Sequence, residues 1–289
     1  MKKIFVSNLL IVALFFYSCS QVKNNQIKND LTKDKIKGQV LSITETEYEA
    51  IDRFGKIEKG RLISKSITKY DNYGNELENN IYNEKSELTN KTIYKYNESD
   101  KKIEEHDIDY KTVKESNQSS FKFFKYDNKG NLIQDSTVFS FPSELGSKFI
   151  RTTYTFDNNG NEIEQIGYSG MDLYDKRINK YDDNNNLIEN AYYVGDSLQL
   201  KVFSKYDSNG NEIENNVYNS DGIRLLHKTN FKYDDKGNIR EQNGYNEAGQ
   251  LSEKVNFKYE FDKKNNWVKR IASDGKTAMT IVEREIEYK

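Results

Sequence analysis

The 289-residue chain carries 44 basic against 46 acidic side chains, one proline, one cysteine and 37 aromatic residues. A net charge of −2 and a pI near 5.9 provide no basic face for a phosphate backbone, so nucleic acid is excluded as a partner. The hydrophobic fraction of 35% is thin for an enzyme, the aromatic share is too high for a disordered chain, and one cysteine makes neither an internal disulfide nor a Cys-rich zinc site.

The chain opens with Lys2-Lys3 and an apolar run from Ile4 to Tyr17, broken only by Ser7 and Asn8. That run is shorter than the roughly 20 residues needed to span a bilayer and has the charged front of a secretory signal, so residues 1–18 read as a signal peptide. Its ending, Phe16-Tyr17-Ser18-Cys19, resembles the lipobox of bacterial lipoproteins. The resemblance implies cleavage before Cys19, lipid attachment at Cys19, and a membrane partner reached through that anchor. The cleaved chain has 42 basic against 46 acidic groups, a charge of −4. Residues 19–37 are Gln, Asn, Lys and Asp with isolated Val22, Ile27, Leu31 and Ile36, and read as a flexible tether.

From residue 38 to 289 the chain reads as one repeat domain: lead-in strands over 38–68, repeats over about 69–271 and a C-terminal cap over 272–289. Five copies of aromatic-Asp-x-x-Gly-Asn stand out: Tyr70-Asp71 with Gly74-Asn75, Tyr126-Asp127 with Gly130-Asn131, Phe156-Asp157 with Gly160-Asn161, Tyr206-Asp207 with Gly210-Asn211, and Tyr233-Asp234 with Gly237-Asn238. Degenerate copies begin at Tyr96, Tyr181 and Phe261, giving a period of 25–30 residues. A second aromatic follows 12 residues later at Tyr82, Tyr168, Tyr193, Tyr218 and Tyr245, so each repeat has two halves.

The spacing has a mechanism. Aspartate at the first turn position bonds its own backbone two residues on, and glycine three residues later supplies φ > 0, the pattern of a type I turn closed by a bulge. On either side, segments such as Leu251 to Tyr259 alternate apolar and polar residues, as antiparallel strands with one buried face do. About sixteen short strands are expected. The fold class is all-β, a repetitive antiparallel meander of hairpin units stabilised by repetition.

These turns resemble the YD-repeat, or Rhs-repeat, family, and the resemblance covers about Lys69 to Ile271. It implies a small lipoprotein member of the Bacteroidetes type, with a β-surface and an association with carbohydrate. Two features differ from the family pattern: asparagine follows each glycine where arginine is common, and no cargo domain follows the array. Eight repeats are too few to close a large shell, so a curved, spiralling sheet, closed on itself at most in part, is expected.

The last strand, Ile286-Glu287-Tyr288-Lys289, reads as a charged edge. Insertions over about Asp107 to Ser120 and Gln134 to Lys148, the latter holding Pro142, read first as tolerated surface insertions, with loops of the kind in which binding resides as the other reading.

No catalytic set emerges. The Asp and Asn oxygens of the turns superficially resemble half a calcium loop, but lack a distal bidentate glutamate, so no metal is assigned. His106 and His227 belong to no paired ligand motif. Glu76/Glu78, Glu162/Glu164 and Glu212/Glu214 recur after the turns and read as repeat positions on a solvated face, whereas catalytic residues are singular. No nucleophile elbow, phosphate loop or dinucleotide fingerprint is present, and no cofactor is expected. The aromatic stripes read as core, with a sugar-stacking platform as the other reading. The expected function is a non-catalytic repeat protein, lipid-anchored at the cell envelope on the outer membrane, presenting a β-surface to a protein or carbohydrate partner. The alternatives are a structural spacer and a glycan-active enzyme.

Overall fold

The computed structural model describes residues 29–110, 118–140 and 148–289. Cys19, the signal segment, the first part of the tether and Pro142 lie outside the described residues. A four-residue helix, α1 (Asp30–Lys33), precedes eighteen strands: β1 (Val40–Arg53), β2 (Lys56–Tyr70), β3 (Glu76–Tyr82), β4 (Leu88–Tyr96), β5 (Lys102–Asp109), β6 (Gln118–Tyr126), β7 (Leu132–Ser140), β8 (Lys148–Phe156) and β9 (Glu162–Ser169), followed by β10 (Asp172–Tyr181), β11 (Leu187–Val194), β12 (Ser197–Tyr206), β13 (Glu212–Tyr218), β14 (Leu225–Tyr233), β15 (Ile239–Tyr245), β16 (Leu251–Phe261), β17 (Trp267–Ser273) and β18 (Ala278–Tyr288). Every strand pairs antiparallel with its sequence neighbours, and β18 pairs with β1 from Val40↔Tyr288 to Glu49↔Thr280. The fold is a closed, up-and-down, antiparallel β-barrel.

Closure corrects two expectations. The sheet is a ring rather than a spiral, because the lead-in hairpin β1–β2 and the final strand complete what the eight repeats begin. The C-terminal strand is also no edge, since its backbone is paired on both sides. Parts of the two expected insertions are strand: residues 107–109 pair with 118–120 across β5 and β6, and Phe139 pairs with Lys148 across β7 and β8, while residues 111–117 and 141–147 lie outside the described residues.

Six of the eight turns leading from even to odd strands share one hydrogen-bond scheme. Asp71 Oδ1 accepts from Tyr73 N (2.7 Å) and Asn75 N (2.9 Å), while Asn75 Nδ2 donates to Asp71 Oδ2 at 3.0 Å. Asp127, Asp157, Asp182, Asp207 and Asp234 repeat it with Asn131, Asn161, Asn186, Asn211 and Asn238. Asparagine after the glycine is therefore the second half of a clamp on the aspartate. Gly74 has φ of 87°, and where glycine is missing Asp100, Asn185 and Asn265 take positive φ in its place, residue types that tolerate that region.

A bulge follows each turn. Tyr206 pairs with Glu212 while the preceding Lys205 pairs with Glu214, so β13 carries one extra residue. The same offset occurs at Tyr70/Glu76 and Phe156/Glu162. The paired glutamates of the sequence are thereby divided between the two faces of the sheet, instead of sharing one solvated face.

The wall is a single layer. Strands make their substantial contacts with ring neighbours only, and eighteen strands at about 4.8 Å spacing form a ring roughly 28 Å across before any tilt, enough to leave an open interior. The compact core is local: Leu31, Val40, Ile43 and Tyr70 are buried together, with Ile36, Ile286 and Tyr288 packed against them.

Candidate functional site

Residues 29–37 fix which face is the inside. Asn29 caps α1 through its bond from Thr32 N, and Leu31 N donates to Gly74 O at 3.1 Å. Asp30 Oδ2 accepts from Glu76 N and from the Tyr96 hydroxyl on β4, both at 3.0 Å. Lys37 exchanges two 2.8 Å bonds with Asn266 in the β16–β17 turn, and Lys35 Nζ lies beside Gly237 in the β14–β15 turn. These partners stand on both sides of the closure seam, so a segment this short joins them only by crossing the mouth. The side chains it meets, Ile43, Tyr70, Tyr96 and Tyr288, face the lumen. The second half of the expected tether is thus a plug across the rim formed by the repeat turns. Its isolated Leu31 and Ile36 are the residues that pay for the ordering, by burial.

The eighth turn is adapted to this task. Asn266 Nδ2 donates to Lys37 O and sits 2.7 Å from the Tyr288 hydroxyl, while that hydroxyl, in place of the asparagine, bonds Asp262 Oδ2.

Alternation then assigns both walls. Outside, four glutamates that follow the turns are gripped by lysines of the flanking strands: Glu78 by Lys69 and Lys91 (3.2 and 2.9 Å), Glu189 by Lys180 and Lys201 (2.8 and 3.4 Å), Glu214 by Lys205 and Lys228 (2.7 and 2.6 Å), and Glu241 by Lys232 and Lys254 (2.7 and 3.7 Å). Hydrogen bonds first from Lys91 and then Asn80 hold the Glu78 carboxyl down to about 2. Those from Lys205 and Lys228 do the same for Glu214, and those from Lys232 and Asn243 for Glu241. A bilayer-spanning barrel carries an apolar outer belt about 25 Å tall; over β2–β4 and β10–β16 the outer wall carries these ions, whereas Phe123 and Phe149 are exposed on β6 and β8.

Inside, the repeat aromatics stitch neighbouring strands. Tyr126, Tyr181, Tyr206 and Tyr233 donate their hydroxyls to the carbonyls of Lys102, Glu162, Leu187 and Glu212 at 2.7–2.9 Å. Their role is wall structure. Above them the inner wall departs from the repeat. Asp135, 2% exposed, accepts from the Tyr154 hydroxyl and lies 3.3 Å from Lys122 Nζ. Next to it, Arg177 Nη1 donates to Gln165 Oε1 at 3.4 Å, Asn179 Nδ2 to Glu162 O at 2.9 Å, and Asn190 Nδ2 to Asn179 Oδ1 at 2.7 Å. Burial raises the carboxyls of Glu105 and Glu162. Burial, reinforced by Asp30, pushes Glu76 up to about 7.

At the end of β4–β7 away from the repeat turns the described residues of this wall form a recess of about 220 Å³, lined by Asn90, Thr92, Asp107, Asp109, Ser120 and Phe139 among others. Thr92 Oγ1 donates to Asp107 Oδ1 at 2.7 Å. His106 does not join Asp107 there: alternation puts it outside, stacked 3.9 Å from Phe121. His227 lies on the inner wall, Nε2 3.1 Å from Thr229 Oγ1, its ring against Gly244. The Cα-level repeat places the turn aspartates and asparagines on one rim, away from this recess, with their oxygens occupied by the turn itself. Among the described residues no group of three or more His, Cys, Asp or Glu is placed to hold a metal ion. The sequence singled out none of Lys122, Asp135, Tyr154 or Arg177; their signal was that they interrupt the repeat.

A family model described as "Uncharacterised protein" matches residues 153–284. No curated protein matches the chain. Among solved structures, a porin-like protein from Bacteroides uniformis ATCC 8492 is 10% identical with a TM-score of 0.41, covering 86% of this chain and 96% of its own. A porin-like protein from Bacteroides vulgatus ATCC 8482 is 9% identical with a TM-score of 0.38, covering 88% and 99%. TcdB2-TccC3 without its hypervariable C-terminal region is 14% identical with a TM-score of 0.22, covering 93% of this chain and 17% of its own.

Proposed function

We propose that this is a non-catalytic, envelope-tethered binding barrel that holds a segment of a glycan in its lumen. The observation that carries the reading is the recess at Asn90, Thr92, Asp107, Asp109 and Ser120 with Phe139 beside them. Amide, hydroxyl and carboxylate groups meet hydroxyls, and an aromatic face meets a sugar ring. A volume of about 220 Å³ is below the roughly 300–1,000 Å³ of a drug-sized pocket and suits one unit of a longer chain running into the open lumen. The leader ending at Cys19 supports a lipid anchor and an outer-membrane address, and the eight repeat turns support kinship with the YD-repeat family. The water-facing outer ladder supports a barrel that stands clear of the bilayer rather than spanning it.

Calorimetric titration with envelope glycan fractions tests this. Asp107→Ala and Ser120→Ala are expected to weaken binding about tenfold each, as loss of a hydrogen bond to a charged group or an unpaired ligand hydroxyl does, whereas Lys228→Ala on the outer wall leaves it unchanged. Equal affinity in all variants, or retention of a protein and no glycan, overturns the reading.

A further inference from the structure

The plug is tied down differently at its two ends. Next to β1, Lys37 exchanges its two bonds with Asn266, and Gly38, with φ of 95°, turns the chain toward the wall. The far half, Asn29 to Asp34, lies over the β2–β3 turn. There Asn29 Nδ2 donates to Tyr73 O and Leu31 N to Gly74 O, while Asp30 Oδ2 accepts from Glu76 N and the Tyr96 hydroxyl. A segment pinned beside a positive-φ glycine and laid down at its other end has the form of a hinged strap.

Under the far half the charges are in conflict. The Glu76 carboxyl faces two carboxylates of the plug, Asp30 and Asp34, and two cations, Lys102 and Lys33. Both cations are engaged: Lys33 Nζ lies 2.7 Å from Asp30 Oδ1, and Lys102 Nζ lies 3.6 Å from Glu105 Oε2 and 3.9 Å over the Tyr94 ring. Behind Asp34 the wall presents Glu45, itself paired with Arg284. The other titratable groups around Glu76 are Tyr70, Tyr94 and Tyr96, whose hydroxyls burial and the nearby carboxylates push up, so they stay neutral. An ionised Glu76 therefore sets a further negative charge against Asp30 and Asp34 while the cations beside it are taken.

We infer that the plug is a latch worked by a proton: its Asn29–Asp34 half rests on the rim while Glu76 is protonated, and lifts about Gly38 once Glu76 ionises, opening this mouth of the lumen. The sign follows from where the carboxyl sits. With the plug down, burial and then Asp30 raise Glu76 to about 7; with the plug lifted it faces the lumen and returns to its ordinary 4.5. Docking is then at full strength below about 4.5 and weakens by up to about tenfold for each pH unit until about 7. Burial raises Asp34 in the same direction. Asp30, which burial raises but the bonds from Lys33 and Glu76 N bring below its ordinary value, is ionised across this range and switches nothing. The latch needs no ligand, so it stands or falls apart from the glycan reading.

Hydrogen exchange of the full chain between pH 5 and pH 8, with each rate divided by that of an unstructured peptide at the same pH, reads the latch through residues 29–38 with β12 as reference. Protection of 29–38 is expected to fall at least about tenfold over that range. In low urea it is expected to change less than that of β12, since lifting the plug exposes far less surface than unfolding the barrel. Glu76→Gln, neutral at every pH, is expected to abolish the fall, and Asp34→Asn, which removes one facing carboxylate, to move its midpoint to lower pH. Constant protection of 29–38 in the parent overturns the latch, as does the same fall in Glu76→Gln. A urea dependence of 29–38 matching that of β12 does so too, because the opening would then be unfolding of the whole barrel. Should Glu76→Gln not fold, an unmoved midpoint in Asp34→Asn overturns it.

Discussion

Glu76 and Glu78 stand two residues apart on one strand and live in opposite electrostatic worlds. Glu76 faces the lumen beneath the plug, where burial and the neighbouring Asp30 raise its carboxyl to about 7. Glu78 faces water between Lys91 and Lys69 and is held at about 2. The bulge after each turn creates this division, by giving one strand an extra residue and sending the two glutamates to different walls. The outer wall repeats one lysine–glutamate–lysine grip at Glu78, Glu189, Glu214 and Glu241. The inner wall does not repeat above its ring of tyrosines, and that is where a recess forms. In a barrel built from copies, regularity marks the scaffold and its interruption marks the site.

Several substitutions would break or sharpen that contrast. The largest effect is expected at Asp135→Ala, which leaves Lys122 and the Tyr154 hydroxyl without their shared buried partner; a loss of about 3 kcal/mol in urea unfolding is expected. Asn266→Ala releases both bonds to Lys37 and should cost about 2 kcal/mol, whereas Asn211→Ala in an ordinary turn loses one clamp on Asp207 and should cost about 1 kcal/mol. Equal costs would mean that the plug contributes nothing through its tie to the eighth turn.

Acidity separates the walls by sign. Glu76 has its carboxyl raised in the folded protein, so its contribution is fully present below the unfolded value of about 4.5 and is lost as pH rises through about 7. Glu76→Gln should therefore match the parent at pH 4 and exceed it in stability at pH 8. Glu78 behaves oppositely: its contribution is present above about 4.5 and is lost as pH falls toward about 2. Chemical denaturation across that range checks both slopes. The smallest effect is expected at Glu214→Gln on the outer wall, under about 1 kcal/mol and shrinking further in high salt, since both its lysine partners are solvent-accessible.

The turns, the strand alternation and the all-β class were legible because each is written in local residue types: Asp and Gly for the turn, period two for the strand. Asparagine after glycine was visible, but its clamp on the aspartate was not, since the bond depends on a side-chain rotamer. Closure had no local signal. It is decided by the register of β1 against β18, residues separated by nearly the whole chain. Residues 29–37 looked like tether because Leu31 and Ile36 are isolated in a polar run; each finds its partners in strands that the sequence places far away. The glutamate pairs were misread for a related reason, as one extra residue in a strand inverts the face of everything on one side of it. The inner-wall cluster was out of reach because Lys122, Asp135, Tyr154 and Arg177 belong to four different strands.

The account rests on the sidedness of a hollow wall, and neighbouring positions on β7 test it. Thr137 pairs with Lys122 and Ile150 on the inner face, and Ser136 pairs with Phe123 and Arg151 on the outer. With cysteine placed at one or the other, and the parent chain with Cys19 as background, a small maleimide should modify both, while a maleimide carried on a folded protein too wide for the mouth should modify only position 136. Equal modification of both by the wide reagent, or protection of position 137 from the small one in ligand-free protein, would contradict an open lumen behind that wall.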